Sequence, residues 1–149
     1  MSIRFDGRVA IVTGAGVGLG RSHALGLAKL GAKVVVNDLG VATDGTGSST
    51  AQADAVVKEI EAMGGEAMAH GANVTDSDQV KDMVDQAIAK WGKVDILVCN
   101  AGILLLKEGG ERTPIVDTEL DEWQRTHDVN LTGTFLTVRE FLRRRRAGM

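Results

Sequence analysis

The sequence predicts a doubly wound α/β fold, in which helices cover both faces of a parallel sheet. Short apolar runs rich in Val and Ile alternate with longer stretches of helical periodicity, which is the order of a βαβ protein. A glycine-rich turn at residues 14–20 follows the first apolar run, and an amphipathic helix begins at once. Because parallel strands are joined by right-handed crossovers, the predicted strand order is 3-2-1-4.

Each predicted element is bounded by a turn or capping signal. The predicted strands cover residues 9–12, 32–38, 66–74 and 94–99. The first predicted helix runs from Gly18 to Leu30, and the second runs from the end of a Gly/Ser/Thr-rich loop at 40–50 to about Met63. The third runs from the capping pattern Thr75-x-x-Asp78 to Trp91, and the last runs from the capping pattern Thr118-x-x-Asp121 to near Gly148. The segment 103–117 is predicted to be irregular.

Length and composition indicate one domain over residues 1–149, with a hydrophobic core of its own. The formal net charge of −3 argues against nucleic acid as a partner, because binding many phosphates requires a basic surface. No stretch approaches the length of a membrane span, so no membrane association is expected. The single cysteine, Cys99, cannot support an intramolecular disulfide, which favours a reducing compartment and a cytoplasmic location.

The glycine-rich turn has the pattern Thr13-Gly14-x-x-x-Gly18-x-Gly20. Glycines let the backbone adopt positive φ and approach a ligand closely. The amides that open the following helix favour a phosphate, since they have no partner within the helix. The pattern therefore predicts a phosphate site, and an ordinary surface loop is the alternative.

Asp38 ends the second predicted strand, at about the 20-residue separation from the turn that a ribose-binding carboxylate shows. A carboxylate accepts hydrogen bonds from both ribose hydroxyls and repels a 2′-phosphate. No Arg or Lys lies at Val17 or directly after Asp38. NAD is therefore favoured over NADP, and the alternative is an Asp that closes a turn before Gly40.

Four ordered motifs together resemble the short-chain dehydrogenase/reductase family. They are the glycine turn, Asp38, Asn100-Ala101-Gly102 after the fourth strand, and Asn130 in the last helix. The resemblance spans the whole chain, which corresponds to the amino-terminal half of the family's Rossmann-type domain. It implies NAD-linked hydride transfer between a small-molecule secondary alcohol and a ketone.

The resemblance also implies roles for individual residues. The cofactor would be bound by Gly14, Val17, Gly18, Leu19 and Gly20 in the turn, by Asp38 and Leu39 at the ribose, by Asn73 and Val74 at the adenine edge, and by Asn100, Ala101 and Gly102 beneath it. Asn130 would be the catalytic asparagine, which kinks its helix and orders a water in the proton relay. Asn73 departs from the family, which usually has Asp there.

Within the family, the run Val34–Gly40 and the Gly/Ser/Thr-rich loop after it are similar to the (3R)-hydroxyacyl-CoA dehydrogenase branch of multifunctional β-oxidation enzymes. Hydroxysteroid dehydrogenases lie in the same neighbourhood of the family. A 3-hydroxyacyl or steroid-like substrate is the corresponding expectation.

One departure concerns catalysis. The family uses a Ser on a fifth strand and a Tyr-x-x-x-Lys pair, whereas this chain contains no tyrosine. The 149-residue chain alone is therefore expected to be catalytically incomplete. A non-catalytic dinucleotide-binding or regulatory module is the alternative, and a second polypeptide or copy that completes the sheet is a third. The fourth strand would be an open edge and the last helix would be partly uncovered, so a stable isolated monomer is not expected. The family tends to associate through this helix, so the resemblance implies a homo-oligomer.

Three further features are assigned to structure rather than chemistry. Cys99 is expected to be an inert thiol packed in a buried strand. Trp91 and Trp123 are in phase with apolar neighbours and are expected in the core. The run Arg143–Arg146 is interpreted as a solvated helix end that complements the helix dipole, with a docking patch for an acyl-CoA phosphate as the alternative.

The histidines His23, His70 and His127 show no metal-ligand spacing. No metal site is predicted, and all three are assigned structural or surface roles.

Overall fold

A computed structural model of the chain describes residues 3–40, 49–107 and 109–148. Within these ranges, strands and helices alternate as the sequence predicts. The strands are β1 (Val9–Thr13), β2 (Lys33–Asn37), β3 (Ala67–His70) and β4 (Ile96–Val98). The helices are α1 (Gly18–Lys29), α2 (Ala51–Ala62), α3 (Ser77–Trp91), α4 (Leu120–His127) and α5 (Gly133–Arg146). A π-helical turn, Asp128–Thr132, joins α4 to α5, and a 3-10 turn, Ile115–Asp117, precedes α4.

The four strands form one parallel sheet in the order β3-β2-β1-β4, which confirms the predicted fold class and strand order. β1 pairs on both sides, with Ala10 opposite Val34 of β2 and opposite Ile96 of β4. The carboxyl ends of the strands consequently meet at one edge. The turns after β1, β2 and β4 lie together there.

Side chains of β1 and β2 alternate between two cores. Ala10 and Val12 pack with Val34 against α1 and α2 on one face of the sheet. Val9 and Ile11 pack against α3 on the other face. A strand buried on both faces has no polar side, which explains the unbroken apolar runs of the sequence.

β3 is shorter than predicted, because it ends at His70 rather than near Val74. Beyond His70 the backbone leaves the ladder and bonds to side chains instead. The Ala72 N–H donates to the ring of His70, and the Ala72 carbonyl accepts from the amide of Asn37. Alanine periodicity in the sequence does not reveal this exchange of partners.

Both capping predictions are wrong by one residue. Asp76 caps α3 by accepting from the N–H groups of Asp78 and Gln79, whereas the Thr75 hydroxyl donates to Asn73. Glu119 forms the capping box of α4 with Glu122. A carboxylate next to the expected threonine is the acceptor in each case, and both residue types suit that position.

Two predictions of burial are also wrong. Cys99 is exposed, and Trp123 is 48% exposed. β4 is only partly buried, and α4 has no buried residue. The sequence pattern marks these faces as apolar, but no described element packs across them. Trp91, by contrast, packs against the core beneath α3.

None of the described helices is both long and apolar enough to cross a lipid bilayer.

Asp95 fastens the start of β4 to the start of β1. Its carboxylate accepts hydrogen bonds from the Val9 N–H at 2.9 Å and from Arg8 at 3.1 Å, and it pairs with Lys93 at 3.3 Å. Partial burial opposes ionisation of the carboxyl group, but these hydrogen bonds outweigh it and lower the pKa of Asp95 below its ordinary value. The ionised form therefore stabilises the fold.

We expect Asp95→Asn to lower the free energy of unfolding by about 1 kcal/mol near neutral pH, because the neutral amide accepts fewer and weaker hydrogen bonds. A depressed folded-state pKa stabilises above the unfolded value, about 3.9, and this contribution is lost as the pH falls through the folded value. Urea unfolding across this acidic range should show the difference between wild type and variant shrinking. Glu61→Gln, an exposed charge removal on α2, is the control. A difference that acid leaves unchanged would contradict this account.

Candidate functional site

A cavity of about 460 Å³ opens at the carboxyl edge of the sheet. Residues from the turns after the four strands line it, together with residues of α2, α4 and the π-helical turn. This matches the rule that ligands of open α/β sheets bind beyond the strand ends. Nine of the predicted cofactor-binding residues are in its wall: Gly14, Val17, Asp38, Leu39, Asn73, Val74, Asn100, Ala101 and Gly102.

The hydroxyl of Thr13, at the end of β1, fixes the exit of β4. Its Oγ1 accepts from the N–H groups of Asn100 and Ala101, each at 3.1 Å, and donates to the Val98 carbonyl at 3.5 Å. In return, the Asn100 amide donates to the carbonyls of Thr13 and Gly14 at 3.1 and 3.0 Å. The glycine turn and Asn100-Ala101-Gly102 are thereby held as one unit.

The glycines of the turn serve different purposes. Gly14 has φ +63°, and a Cβ there would lie 2.8 Å from the Ala101 Cα, so no other residue fits. Gly20 is buried, and a Cβ on it would strike the Gly14 carbonyl. Gly18 has φ +56° with open space in front of it. Gly14 and Gly20 thus allow close packing, whereas Gly18 leaves room for a ligand.

The amino terminus of α1 suits a phosphate. Val17 is its N-cap residue and offers no side-chain hydrogen bond to the first turn. The amides of that turn, including those of Gly18 and Leu19, therefore have no side-chain cap and lie at the positive end of the helix dipole. Gly18 and Leu19 are exposed beside the cavity rather than in its wall, and Gly20 lies beneath the turn.

Asp38 is held in the cavity wall at the end of β2, where it is 8% exposed. Its Oδ2 accepts from the Gly16 N–H and its Oδ1 from the Gly40 N–H, both at 2.7 Å. Each carboxylate oxygen keeps a further acceptor position after these bonds. A Cβ on Gly16 would lie 2.8 Å from Oδ2, so the turn needs glycine to reach this carboxylate.

Asn73 and Val74, in the turn after β3, form the part of the wall next to the end of β2. The Oδ1 of Asn73 accepts from the N–H and the hydroxyl of Thr75, at 3.0 and 2.9 Å, which fixes the turn after β3. Val74 is buried against Gly133, where a Cβ would lie 2.7 Å from Cγ2 of the valine. The close approach of α5 thus sets the position of this wall.

Asn130 lies in the π-helical turn between α4 and α5. Its Oδ1 accepts from the Ile103 N–H at 2.7 Å, and its Nδ2 donates to the Ile103 carbonyl at 3.0 Å. The side-chain amide therefore holds the segment after β4 against the helix. The main-chain carbonyl of Asn130 accepts from Thr134 at 3.2 Å.

Several residues of the site were not singled out from the sequence. Asn37 is buried and donates to the carbonyls of His70 and Ala72, which joins the ends of β2 and β3. Thr13 was noted only as part of the glycine motif. Each of these two residues is a polar residue at the end of an apolar strand, and that pattern is the sequence signal that could have identified them. Arg125 and Asp128 also line the cavity, but helical sequence pattern does not identify them.

No group of three or more His, Cys, Asp or Glu side chains that could hold a metal occurs in the part of the chain that the structure describes. His70 contacts Asp82 at 3.0 Å, and His127 contacts the Trp123 carbonyl at 3.1 Å and its ring.

The glycine turn, the helix amides without a side-chain cap and the carboxylate at the end of the next strand are typical of dinucleotide-binding α/β proteins. The family profile for short chain dehydrogenases matches residues 8–148. The chain belongs to the short-chain dehydrogenase family, which confirms the resemblance.

Three similar proteins illustrate the match. The peroxisomal multifunctional enzyme type 2 of Drosophila melanogaster is 50% identical over 133 residues, covering 89% of this chain and 21% of the relative. A short chain dehydrogenase structure from Mycobacterium avium has a TM-score of 0.79 and 46% identity, covering 94% of this chain and 47% of the other. A 7α-hydroxysteroid dehydrogenase, solved with NADH and 7-oxo glycochenodeoxycholic acid, has a TM-score of 0.78 and 36% identity, covering 93% and 48%.

The first and third of these proteins, a multifunctional enzyme and a hydroxysteroid dehydrogenase, carry the names of the two branches that the sequence indicates. The chain spans about a fifth of the length of the first and about half of each of the other two.

Thr13→Val tests the hydroxyl that holds β4. Valine has the same shape but leaves the Asn100 and Ala101 N–H groups without their acceptor, so we expect the free energy of unfolding to fall by about 2 kcal/mol. Thr13→Ser keeps the hydroxyl and is the matched control, with a smaller loss. Urea unfolding measures both. A loss in Thr13→Val no greater than the loss in Thr13→Ser would contradict this role of the hydroxyl.

Proposed function

We propose that this chain is the nucleotide-binding part of an NAD-dependent oxidoreductase that exchanges hydride between a secondary alcohol and a ketone. One observation carries the proposal, namely that a single cavity gathers the glycine turn, Asp38, Asn73-Val74 and Asn100-Ala101-Gly102. The similarity of the run Val34–Gly40 to the (3R)-hydroxyacyl-CoA dehydrogenase branch supports a 3-hydroxyacyl substrate, and the relative named as a hydroxysteroid dehydrogenase supports a steroid-like one.

The described residues fit the cofactor. Bound NAD would supply the hydride acceptor. The free amides of the α1 amino terminus would bind the pyrophosphate, in front of the open space at Gly18. Asp38 would accept from the ribose hydroxyls with the acceptor positions that Gly16 and Gly40 leave. Val74 would exclude water from one side of the base.

The proposed preference for NAD over NADP rests on the charge of Asp38. The carboxylate is nearly buried, so water screens it little and a 2′-phosphate placed against it would be strongly repelled. The two backbone amides that bind it hold it in place and keep it from turning away.

These 149 residues contain no tyrosine. In the proposed function they therefore bind the cofactor, and proton transfer is carried out by residues outside them. The side-chain amide of Asn130 is occupied by Ile103, so its contribution to the site is to hold the helix against the exit of β4.

A non-catalytic dinucleotide-binding or regulatory module that uses the same cavity is the second candidate. A dehydrogenase assay separates the two, and turnover by the 149-residue chain alone would overturn the claim that it is catalytically incomplete.

Calorimetric titration with NAD and NADP tests the cofactor assignment. We expect wild type to bind NAD more tightly than NADP. Asp38→Asn should weaken NAD binding by about tenfold and reduce the preference for NAD, because a neutral amide loses acceptors and no longer repels a phosphate. Glu61→Gln, which removes an exposed charge on α2 far from these contacts, is the control. Tighter binding of NADP by wild type would overturn the assignment.

We further propose that the long helix from α4 to α5 pairs with its counterpart in a second copy. Leu131, Phe135, Val138 and Leu142 follow helical spacing, and 37–63% of each side chain is exposed. Acidic residues gather at α4, including Asp121 and Glu122, and arginines at the end of α5. An antiparallel pair of copies would bury the apolar stripe and place unlike charges opposite each other.

Phe135→Ser tests this pairing. We expect wild type to sediment as a dimer or larger species at micromolar concentration and the variant to shift towards monomer, because a polar side chain interrupts the buried stripe. Ile3→Ser removes an apolar side chain that is 72% exposed elsewhere on the surface and is the control. A wild-type chain that sediments only as monomer contradicts the proposal.

A cytoplasmic location stays a proposal that rests on the single cysteine. The Drosophila melanogaster relative is named as peroxisomal, so imaging of the tagged chain decides between the two compartments.

A further inference from the structure

His70, the last residue of β3, lies behind the turn that forms one wall of the cavity. Its side chain is 11% exposed. The ring Nδ1 lies 3.1 Å from the backbone nitrogen of Ala72, and the ring Nε2 lies 3.0 Å from Oδ2 of Asp82. The imidazole therefore bridges the turn after β3 and helix α3.

These two contacts determine which ring nitrogen carries the proton. A backbone N–H can only donate, so the Nδ1 facing Ala72 must offer a lone pair. The hydrogen of the neutral ring then lies on Nε2 and is donated to Asp82. The ring is held as the Nε2–H tautomer in a single orientation.

The backbone of His70 also holds the end of the neighbouring strand, β2. Its carbonyl accepts from the Asp38 N–H at 3.0 Å and from the Asn37 amide at 3.1 Å. Asp38 and Ala72 both line the cavity, whereas His70 does not. One residue outside the wall thus fixes two neighbouring segments of it, after β2 and after β3.

We propose that His70 is a positioning residue for nucleotide binding, whose Nδ1 holds Ala72, Asn73 and Val74 in the conformation that receives the adenine base. It acts through the turn and does not touch the ligand. This inference rests on the proposed function, because it names a residue that shapes the same cavity.

The two ring nitrogens of His70 contribute unequally to holding the turn after β3. Ala72 is 2% exposed, so its N–H has no water to replace Nδ1, and losing this acceptor would force the turn to rearrange. Asp82 is 59% exposed, and its contact with Nε2 competes with water. The acceptor at Nδ1 should therefore control nucleotide affinity, and the donor at Nε2 should not.

Three substitutions separate the two nitrogens. In His70→Asn the side-chain oxygen occupies the position of Nδ1, whereas in His70→Gln the terminal nitrogen occupies that of Nε2. His70→Leu offers neither group. Calorimetric titration with NAD and with ADP-ribose should show the Asn variant close to wild type, and the Gln and Leu variants about tenfold weaker for both ligands. Asp82→Asn is the control and should leave both affinities unchanged.

ADP-ribose lacks the nicotinamide, so equal losses for the two ligands exclude a contact with the nicotinamide as the cause and assign the effect to the part of the cofactor that the two ligands share. Urea unfolding of each variant ensures that titrations report on folded protein. Variants that lose stability but bind like wild type would reduce His70 to a structural role, and failure of Asn to rescue binding would also overturn the proposal.

The nitrogen chemical shifts of the His70 ring provide a readout that needs no nucleotide. When the imidazole ring is neutral, we expect Nδ1 to carry no hydrogen. A neutral ring with its hydrogen on Nδ1 would overturn the inference. A wild-type chain that binds neither ligand overturns the proposed function and the positioning role together. A wild-type chain that binds both, with His70 variants that bind alike, overturns the positioning role alone.

Discussion

The site depends on the hydroxyl of Thr13, which ties β1 to the exit of β4. Strand pairing aligns the two strands, but the ladder ends where the cavity begins, so another group must hold the chain there. One oxygen accepts from two successive amides, and it lies at the residue that opens the glycine turn. The turn and the Asn100-Ala101-Gly102 floor therefore keep a fixed spacing across the cavity.

Three asparagine side chains also hold the backbone near the strand ends. The side chain of Asn37 donates to two carbonyls at the end of β3, that of Asn100 to two carbonyls at the end of β1, and that of Asn130 bonds both backbone groups of Ile103. A backbone that leaves a sheet near a buried cavity must find new partners. A side-chain amide can donate and accept, so these residues extend the ladder where the strands have ended, and the cavity wall keeps its shape.

The sequence was informative where local chemistry decides the outcome. Apolar strands buried on both faces, glycines at Gly14 and Gly20 and the carboxylate at Asp38 all have one workable placement, and the structure puts them there. Prediction was poorer where partners come from distant residues. The end of β3 depends on Asn37 and His70, and the caps of α3 and α4 depend on which of two adjacent oxygens reaches the amides.

The sequence alone determined the fold class, the strand order, the family and most of the cavity wall, because periodicity and glycine spacing are local properties that constrain the backbone directly. Only the tertiary structure decided that the amide of Asn130 is engaged with Ile103, that Trp123 and Cys99 are exposed, and that His70 holds two neighbouring segments of the cavity wall. Those facts depend on which surfaces meet, and an apolar or polar residue carries no mark of its eventual neighbour.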